Sequence, residues 1–148
     1  MKILIQRVSQ ANVVVQDSEV ARIGAGLLLL VGIAPDDTDQ DAQYLLRKTL
    51  ALRIFNDERD VMNLSVLDAG GEILAVSQFT LMADTRKGNR PSYTAAARPE
   101  FAGPYFERFV QQLSVALGRP VPSGIFGADM KVSLINDGPV TIMLDSRD

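Results

Sequence analysis

The chain contains no cysteine and no histidine. Each absence removes chemistry. Without cysteine there is no disulfide, no thiol nucleophile and no thiolate metal site. Without histidine, the usual general base and the commonest metal ligand are missing. A Ser-His-Asp triad is excluded, and so is a typical zinc centre. Any catalysis must draw on hydroxyls, carboxylates, Lys or Arg, backbone dipoles, or a group carried by the substrate. No metal and no cofactor is expected.

Long hydrophobic runs are also scarce. The longest, 27–34, is interrupted by Gly32 and falls well short of the ~20 residues that span a bilayer. The N-terminal residues enter a strand pattern at once and lack the apolar core and cleavage site of a signal peptide. A cytoplasmic protein without a membrane partner is expected. Excess positive charge is missing too. The 15 basic residues are outnumbered by 18 acidic ones, which argues against broad, nonspecific nucleic-acid binding but leaves room for a local basic patch.

What remains is the material of a globular domain. The 148 residues fit one domain, 1–148, and 47% hydrophobic content makes a packed core feasible. Residues 2–8, 12–16, 20–23 and 26–33 read as strands rich in Ile, Val and Leu. The run Leu27-Leu28-Leu29-Leu30-Val31 is apolar without alternation, so it is expected to be buried on both faces. Ala42, Leu45, Leu46, Thr49 and Leu50 then recur at helical spacing, predicting a helix over 38–52 that starts in a capping box of Thr38 and Asp41. Short strands are expected at 53–55 and 64–66, and a central strand at 72–81. Phe106, Phe109, Val110, Leu113 and Leu117 mark a second helix. It starts near Pro99 or at Pro104, with Pro99 preferred, and Gly118 stops it. The result is an α/β domain of mixed β-sheets with two helices. Two helices cannot cover both faces of so many strands, and a second copy of the chain is the simplest cover.

Three stretches carry candidate chemistry. Asn136-Asp137-Gly138-Pro139-Val140-Thr141 lies between apolar runs at 130–135 and 140–144 and reads first as a hairpin turn. The sharper reading is a rigid Gly-Pro carbonyl pair aimed at a ligand. Ser77, Gln78 and Thr80 end the central strand, where sites gather in α/β sheets. Ser77 and Thr80 are hydroxyl candidates, but a hydroxyl at a strand end is usually structural. Backbone N–H groups around Phe79 and Thr80 offer an oxyanion hole that needs no special side chain. Phe79 itself is more often a core residue than a stacking platform. Arg86-Lys87-Gly88-Asn89-Arg90-Pro91 is the densest basic patch, either a solvated loop or a contact for phosphates. The acids Asp36, Asp37, Asp39 and Asp41 suit a helix start better than a metal site.

Ser77-Gln78-Phe79-Thr80-Leu81 and Asn136-Asp137-Gly138-Pro139-Val140-Thr141 together resemble the two signature motifs of the D-aminoacyl-tRNA deacylases. Gln6-Arg7-Val8, Arg53-Ile54-Phe55, Met62-Asn63-Leu64, Arg90-Pro91-Ser92 and Phe126-Gly127-Ala128-Asp129-Met130 also match, in order along the chain. The resemblance implies a single-domain homodimer that binds the aminoacylated 3′ end of tRNA. It implies hydrolysis of the ester in D-aminoacyl-tRNA, and in glycyl-tRNA mischarged on tRNA(Ala). In that family the Gly-Pro bond is cis, and its carbonyls face the other subunit's pocket and exclude L side chains. Carried over, Gly138 and Pro139 bind substrate, with Phe126, Ala128 and Met130. Ser77, Gln78, Phe79 and Thr80 form the catalytic pocket. The reaction then uses either Thr80 as nucleophile or a water assisted by the RNA 2′-OH, and the second is preferred because nothing in the sequence activates Thr80. One departure is visible: Asp60-Val61 stands where the family often has Gly-Lys. The alternatives are a dimeric nucleic-acid-binding module without catalysis and a small-ester hydrolase using Thr80.

Overall fold

The sheet is assembled on its first strand. The computed structural model describes residues 1–148. In chain order its elements are β1 (Lys2–Val15), β2 (Ser18–Ile23), β3 (Gly26–Gly32), α1 (Asp39–Ala51), β4 (Phe55–Asn56), β5 (Met62–Leu64), β6 (Glu72–Ser77), α2 (Pro99–Leu117) and β7 (Lys131–Asp145). The strands expected at 2–8 and 12–16 are one strand, β1. Its side-chain alternation changes parity at Ser9 and Gln10, both exposed. Ile3 and Ile5 face one core, whereas Val8, Ala11 and Val13 face another. A bulge opposite β7 takes up the extra residue.

One edge of β1 carries two partners in succession. β2 pairs antiparallel with its second half and β3 with its first half. The β1–β2 turn is made by Gln16 and Asp17, at φ 48° and 62°. Two positive φ values suit a tight hairpin whose twist matches the strands. β6 then adds parallel to β3. The whole opposite edge of β1 is taken by β7, antiparallel from Lys2↔Asp145 to Val14↔Lys131.

Both helices lie on one face. Leu45, Phe106, Phe109 and Leu113 pack there against Ile3, Ile5, Leu27, Leu29 and Ile73. Leu28, Leu74 and Val76 point the other way, into a second core closed by Val13, Ala21 and Ile23. The run 27–31 is therefore covered on both faces, as its lack of alternation implies. The second core corrects one expectation. Part of the back face is covered by the sheet's own curl, and only its remainder is open, where Leu4 is half-buried and Met143 is 50% exposed.

The helix starts follow the sequence signals. Asp41 Oδ2 accepts from Thr38 N at 2.8 Å and from Thr38 Oγ1 at 2.7 Å. α2 begins at Pro99, keeps Pro104 within its second turn, and ends at Gly118 with φ 74°. No helix is long and apolar enough to cross a membrane.

Three strand expectations need correction. The short strands fall at β4 and β5 rather than 53–55 and 64–66, and they pair with each other outside the main sheet. β6 stops at Ser77 instead of reaching 81, because β3 ends at Gly32 and offers no further ladder partner. Gln78 N makes a last bond to Val31 O at 2.7 Å, and Phe79–Met82 then satisfies itself as a 3₁₀ turn. Finally, 136–141 is not a hairpin. Its flanking runs do not pair with each other, since both belong to β7 and both pair with β1.

Glycine positions give a stability test. Gly26 pairs with Glu72, and a Cβ there would overlap the Glu72 backbone. Gly26→Ala must push β3 from β6 and is expected to cost about 3 kcal/mol in chemical denaturation. Gly118 has open space but a left-handed φ, so Gly118→Ala is expected to cost only about 1 kcal/mol. Equal losses at the two sites would contradict the close β3–β6 approach.

Candidate active site

The first signature lies where the sheet runs out. Ser77 and Gln78 are half-buried, whereas Phe79 and Thr80 are exposed, Phe79 at 57%. The core reading of Phe79 is thus overturned: its ring stands in the open, edge-to-face with Tyr93 at 5.1 Å. The 3₁₀ turn rests on Gly32, where a Cβ would sit 3.1 Å from Leu81 Cβ and Met82 Sδ and 3.3 Å from Gln78 O. Phe79 and Thr80 open that turn, so their N–H groups have no acceptor inside it. Gln78 Nε2 donates to Thr80 Oγ1. No carboxylate or lysine accepts from the Thr80 hydroxyl, so nothing is placed to deprotonate it.

The second signature is an excursion within β7. Gln6 is opposite Thr141 and Val8 is opposite Asn136, so residues 137–140 face the single residue Arg7. Asp137, Gly138 and Pro139 are exposed, and the Gly138-Pro139 bond is cis. Arg7 fills the space beneath them and is only 8% exposed. Its Nε donates to Asp137 O at 3.0 Å and its Nη1 to Ile54 O at 2.6 Å, with the Asp137 carboxylate 3.6 Å away. Gly138 has φ 128°, and a Cβ there would meet Arg7 Nη2 and Val140 Cγ2 at 2.9 Å. Only glycine fits this position without displacing the arginine.

One protomer does not bring the two signatures together. Gly138 lies opposite Arg7, which is level with Leu27 on β3 and Ile73 on β6. Ser77 is four residues further along β6, at the level of Val31. Three strand spacings across and four residues along put the signatures roughly 20 Å apart.

The remaining sequence candidates lie on the segment that follows the edge of β6, two of them packed on the cores. Gly124 N donates to Ala75 O at 3.0 Å and Ala75 N to Pro122 O at 3.1 Å, extending the edge of β6. The chain then runs toward the Ser77 end. Phe126 packs on α2, its ring 6.4 Å from Phe106, while Met130 packs against the second core and Gly124. Ala128 N bonds Ile125 O at 3.2 Å in the connecting turn. The acids near α1 are all engaged: Asp36 with Arg147, Asp37 with the Met1 nitrogen, Asp39 with Arg108 and Asp41 in the cap. At the departure, Asp60 takes a left-handed φ of 60° and accepts from Asn56 Nδ2 at 2.6 Å. Asn56 Oδ1 in turn faces Arg7 Nη1 at 3.4 Å.

Arg7, which backs the Gly138-Pro139 excursion, is the residue that sequence reasoning passed over as framework. Its signal was available: one cation in an otherwise apolar strand alternation, at a position that alternation assigns to the core. The basic loop is firmly rooted. Asp84 and Ser92 exchange backbone bonds of 2.8 and 2.9 Å across its base. The Arg86 guanidinium bonded to Asp84 holds that carboxyl at about 2, well below the usual range.

Known proteins resemble this chain over its full length, in sequence and in fold. The family model described as D-Tyr-tRNA(Tyr) deacylase matches residues 4–145. A D-aminoacyl-tRNA deacylase of Chromobacterium violaceum is 63% identical over 99% of this chain and 98% of its own length. One of Flavobacterium psychrophilum is 59% identical with the same coverage. Among solved structures, the c-Myc DNA Unwinding Element Binding Protein superposes with a TM-score of 0.93 at 42% identity, covering 98% of both chains. A probable eukaryotic D-amino acid tRNA deacylase gives 0.83 at 21% identity over 97% of both, a likeness of fold alone. The family-model match over residues 4–145 and the full-length identities show that this chain belongs to the D-Tyr-tRNA(Tyr) deacylase family.

Proposed function

We propose that this chain hydrolyses the ester between a D-amino acid and the 3′ adenosine of tRNA, releasing free tRNA and the amino acid. The observation that carries the reading is the separation of the two signatures. The turn at Phe79 and Thr80 is exposed, and the equally exposed Gly138-Pro139 loop stands roughly 20 Å away in the same protomer. A second copy of the chain resolves both, its Gly-Pro loop entering the first copy's pocket. The half-open back face at Leu4 and Met143 gives that copy an apolar surface to cover.

In such a pocket the Gly138 and Pro139 carbonyls accept from the substrate's α-ammonium. The rigid pair then occupies the space an L side chain needs, while a D side chain points away. Glycine has no side chain and passes the same filter, so glycyl-tRNA mischarged on tRNA(Ala) is a second substrate. Rejection is steric, and Arg7 provides the stiffness by holding Asp137 O from below.

Hydrolysis needs no histidine because the substrate is an activated ester. The N–H groups at Phe79 and Thr80 stabilise the oxyanion, and the adjacent ribose 2′-OH assists the attacking water. Gln78 donates to Thr80 Oγ1, which fixes both side chains along the pocket wall without making Thr80 a nucleophile. Ser77, at the half-buried end of β6, and the segment with Phe126, Ala128 and Met130 complete the walls around the terminal adenosine.

The name of the DNA-unwinding-element binding relative favours one second reading, a dimeric nucleic-acid-binding module without catalysis. Turnover separates them. D-Tyr-tRNA is expected to be cleaved about 100-fold faster or more than L-Tyr-tRNA. No loss of the D-ester above the rate without protein leaves only the binding module. Thr80→Ala is expected to cost about tenfold at most, having lost one side-chain hydrogen bond. Substrate ending in 2′-deoxyadenosine is expected to lose about 100-fold. The reverse pattern would make Thr80 the nucleophile. Sedimentation equilibrium should give twice the 16.1 kDa of one chain, and a lone 16.1 kDa species would rule out the shared pocket.

A further inference from the structure

Most of the 15 basic side chains have a partner. Lys2, Arg7, Arg22, Arg86, Arg108, Lys131 and Arg147 are ion-paired. Lys48 lies over the Tyr44 ring, Arg53 donates to Asn63 O, and Arg119 donates to Gly70 O. Arg47, Arg59, Lys87, Arg90 and Arg98 have neither an ion pair nor a side-chain hydrogen bond. Three of these fall in one 12-residue stretch, 87–98, in a chain whose net charge is −3.

The fold holds those three around the Ser77–Thr80 turn. Lys87 and Arg90 sit on the loop that leaves this turn, closed at its base by the Asp84–Ser92 bonds. Tyr93, just beyond, packs on Phe79. Arg98 is tied in from another side, because Ala97 N donates to Ile33 O at 2.9 Å and neighbouring Gly32 lies under the turn. Asp84 is already bonded to Arg86, and Glu100 in the first turn of α2 makes no ion pair with Arg98.

Arg98 also breaks a local rule. It is the N-cap residue of α2, where the helix dipole favours an acid or a hydroxyl over a cation. A misplaced charge with no stabilising partner is the kind of exception that marks function. An anion drawn between Arg98 and the loop would be attracted by the guanidinium, the ammonium and the helix end together.

We propose that Lys87, Arg90 and Arg98 grip the phosphates of the single-stranded RNA leading into the terminal adenosine. This deepens the substrate reading above and rests on it. The adenosine and its ester occupy the pocket, and the preceding nucleotides run across the basic rim. Their grip supplies binding in both ground and transition state, so it lowers KM without altering kcat.

Lys87→Gln, Arg90→Gln and Arg98→Gln test it, with Arg47→Gln on α1 as a control. Two substrates are compared: D-Tyr-tRNA, and 3′-D-tyrosyl-adenosine, which has no phosphate. At low salt, each of the three changes is expected to raise KM for D-Tyr-tRNA about threefold to tenfold with kcat unchanged. The slope of log kcat/KM against log salt should flatten by about 0.7 per cation removed. Turnover of the adenosine ester, and every parameter of Arg47→Gln, should stay at the original values. Arg98→Gln relieves a wrong-sign charge, so its melting temperature should not fall. Unchanged KM and salt slope with D-Tyr-tRNA overturn the grip. Equal losses on the adenosine ester overturn it too, by assigning these residues to the shape of the pocket. If the unsubstituted protein cleaves neither ester, the substrate reading falls, and the grip falls with it.

Discussion

The structure depends on one mismatch: β7 follows β1 along its full length, yet gives four residues to the space opposite Arg7. Strand ladders on both sides fix the ends of that excursion. The gap beneath it must be filled, and a buried cation must be satisfied. Arg7 meets both demands, with two backbone carbonyls and the Asp137 carboxylate around a nearly buried guanidinium. An aliphatic side chain would fill the gap but leave Asp137 O and Ile54 O without these donors. Gly138 follows from the same contact, since the guanidinium occupies the volume a Cβ would need. Loop, glycine and arginine are thus one packing unit.

The parity change in β1 extends this logic to the cores. Because the alternation shifts at Ser9 and Gln10, one long strand serves the helical core with Ile3 and Ile5 and the back core with Ala11 and Val13. The curl closes the back core at one end only, leaving the face near Leu4 and Met143 open. The Gly-Pro loop sits next to the parity change, on the outer edge strand. A loop there can project from its own protomer while its base stays anchored in a fully paired ladder.

Much of this was legible in the residues. Both helices, the capping box at Thr38, the start at Pro99 and the stop at Gly118 follow from local signals that the fold does not override. So does the double burial of Leu27 through Val31. The strand ends were less legible. The arrest of β6 at Ser77 is set by where β3 runs out, a long-range fact invisible in 72–81 alone. The hairpin reading of 136–141 failed for a similar reason. Turn-formers between two strand-like runs look the same whether those runs pair with each other or with a third strand. Arg7 was underrated because its partners, Asp137 and Ile54, are distant in sequence.

The lack of histidine becomes intelligible in this geometry. A side-chain base must be buried, oriented and tuned near neutral pH, usually by other charged groups. Around Thr80 the structure offers a glutamine amide, an exposed aromatic ring and the leading N–H groups of a 3₁₀ turn. None of these titrates near neutrality. Such a site can orient and polarise, and it must take its remaining chemistry from what it binds. An aminoacyl ester beside a ribose hydroxyl brings both an activated carbonyl and a proton-transfer group. In the proposed reaction discrimination rests on shape alone, and the arginine-backed loop is the part that supplies it. In the reaction we propose, the signatures divide the work accordingly: the strand-end turn handles the ester, and the rigid excursion from β7 decides which ester is admitted.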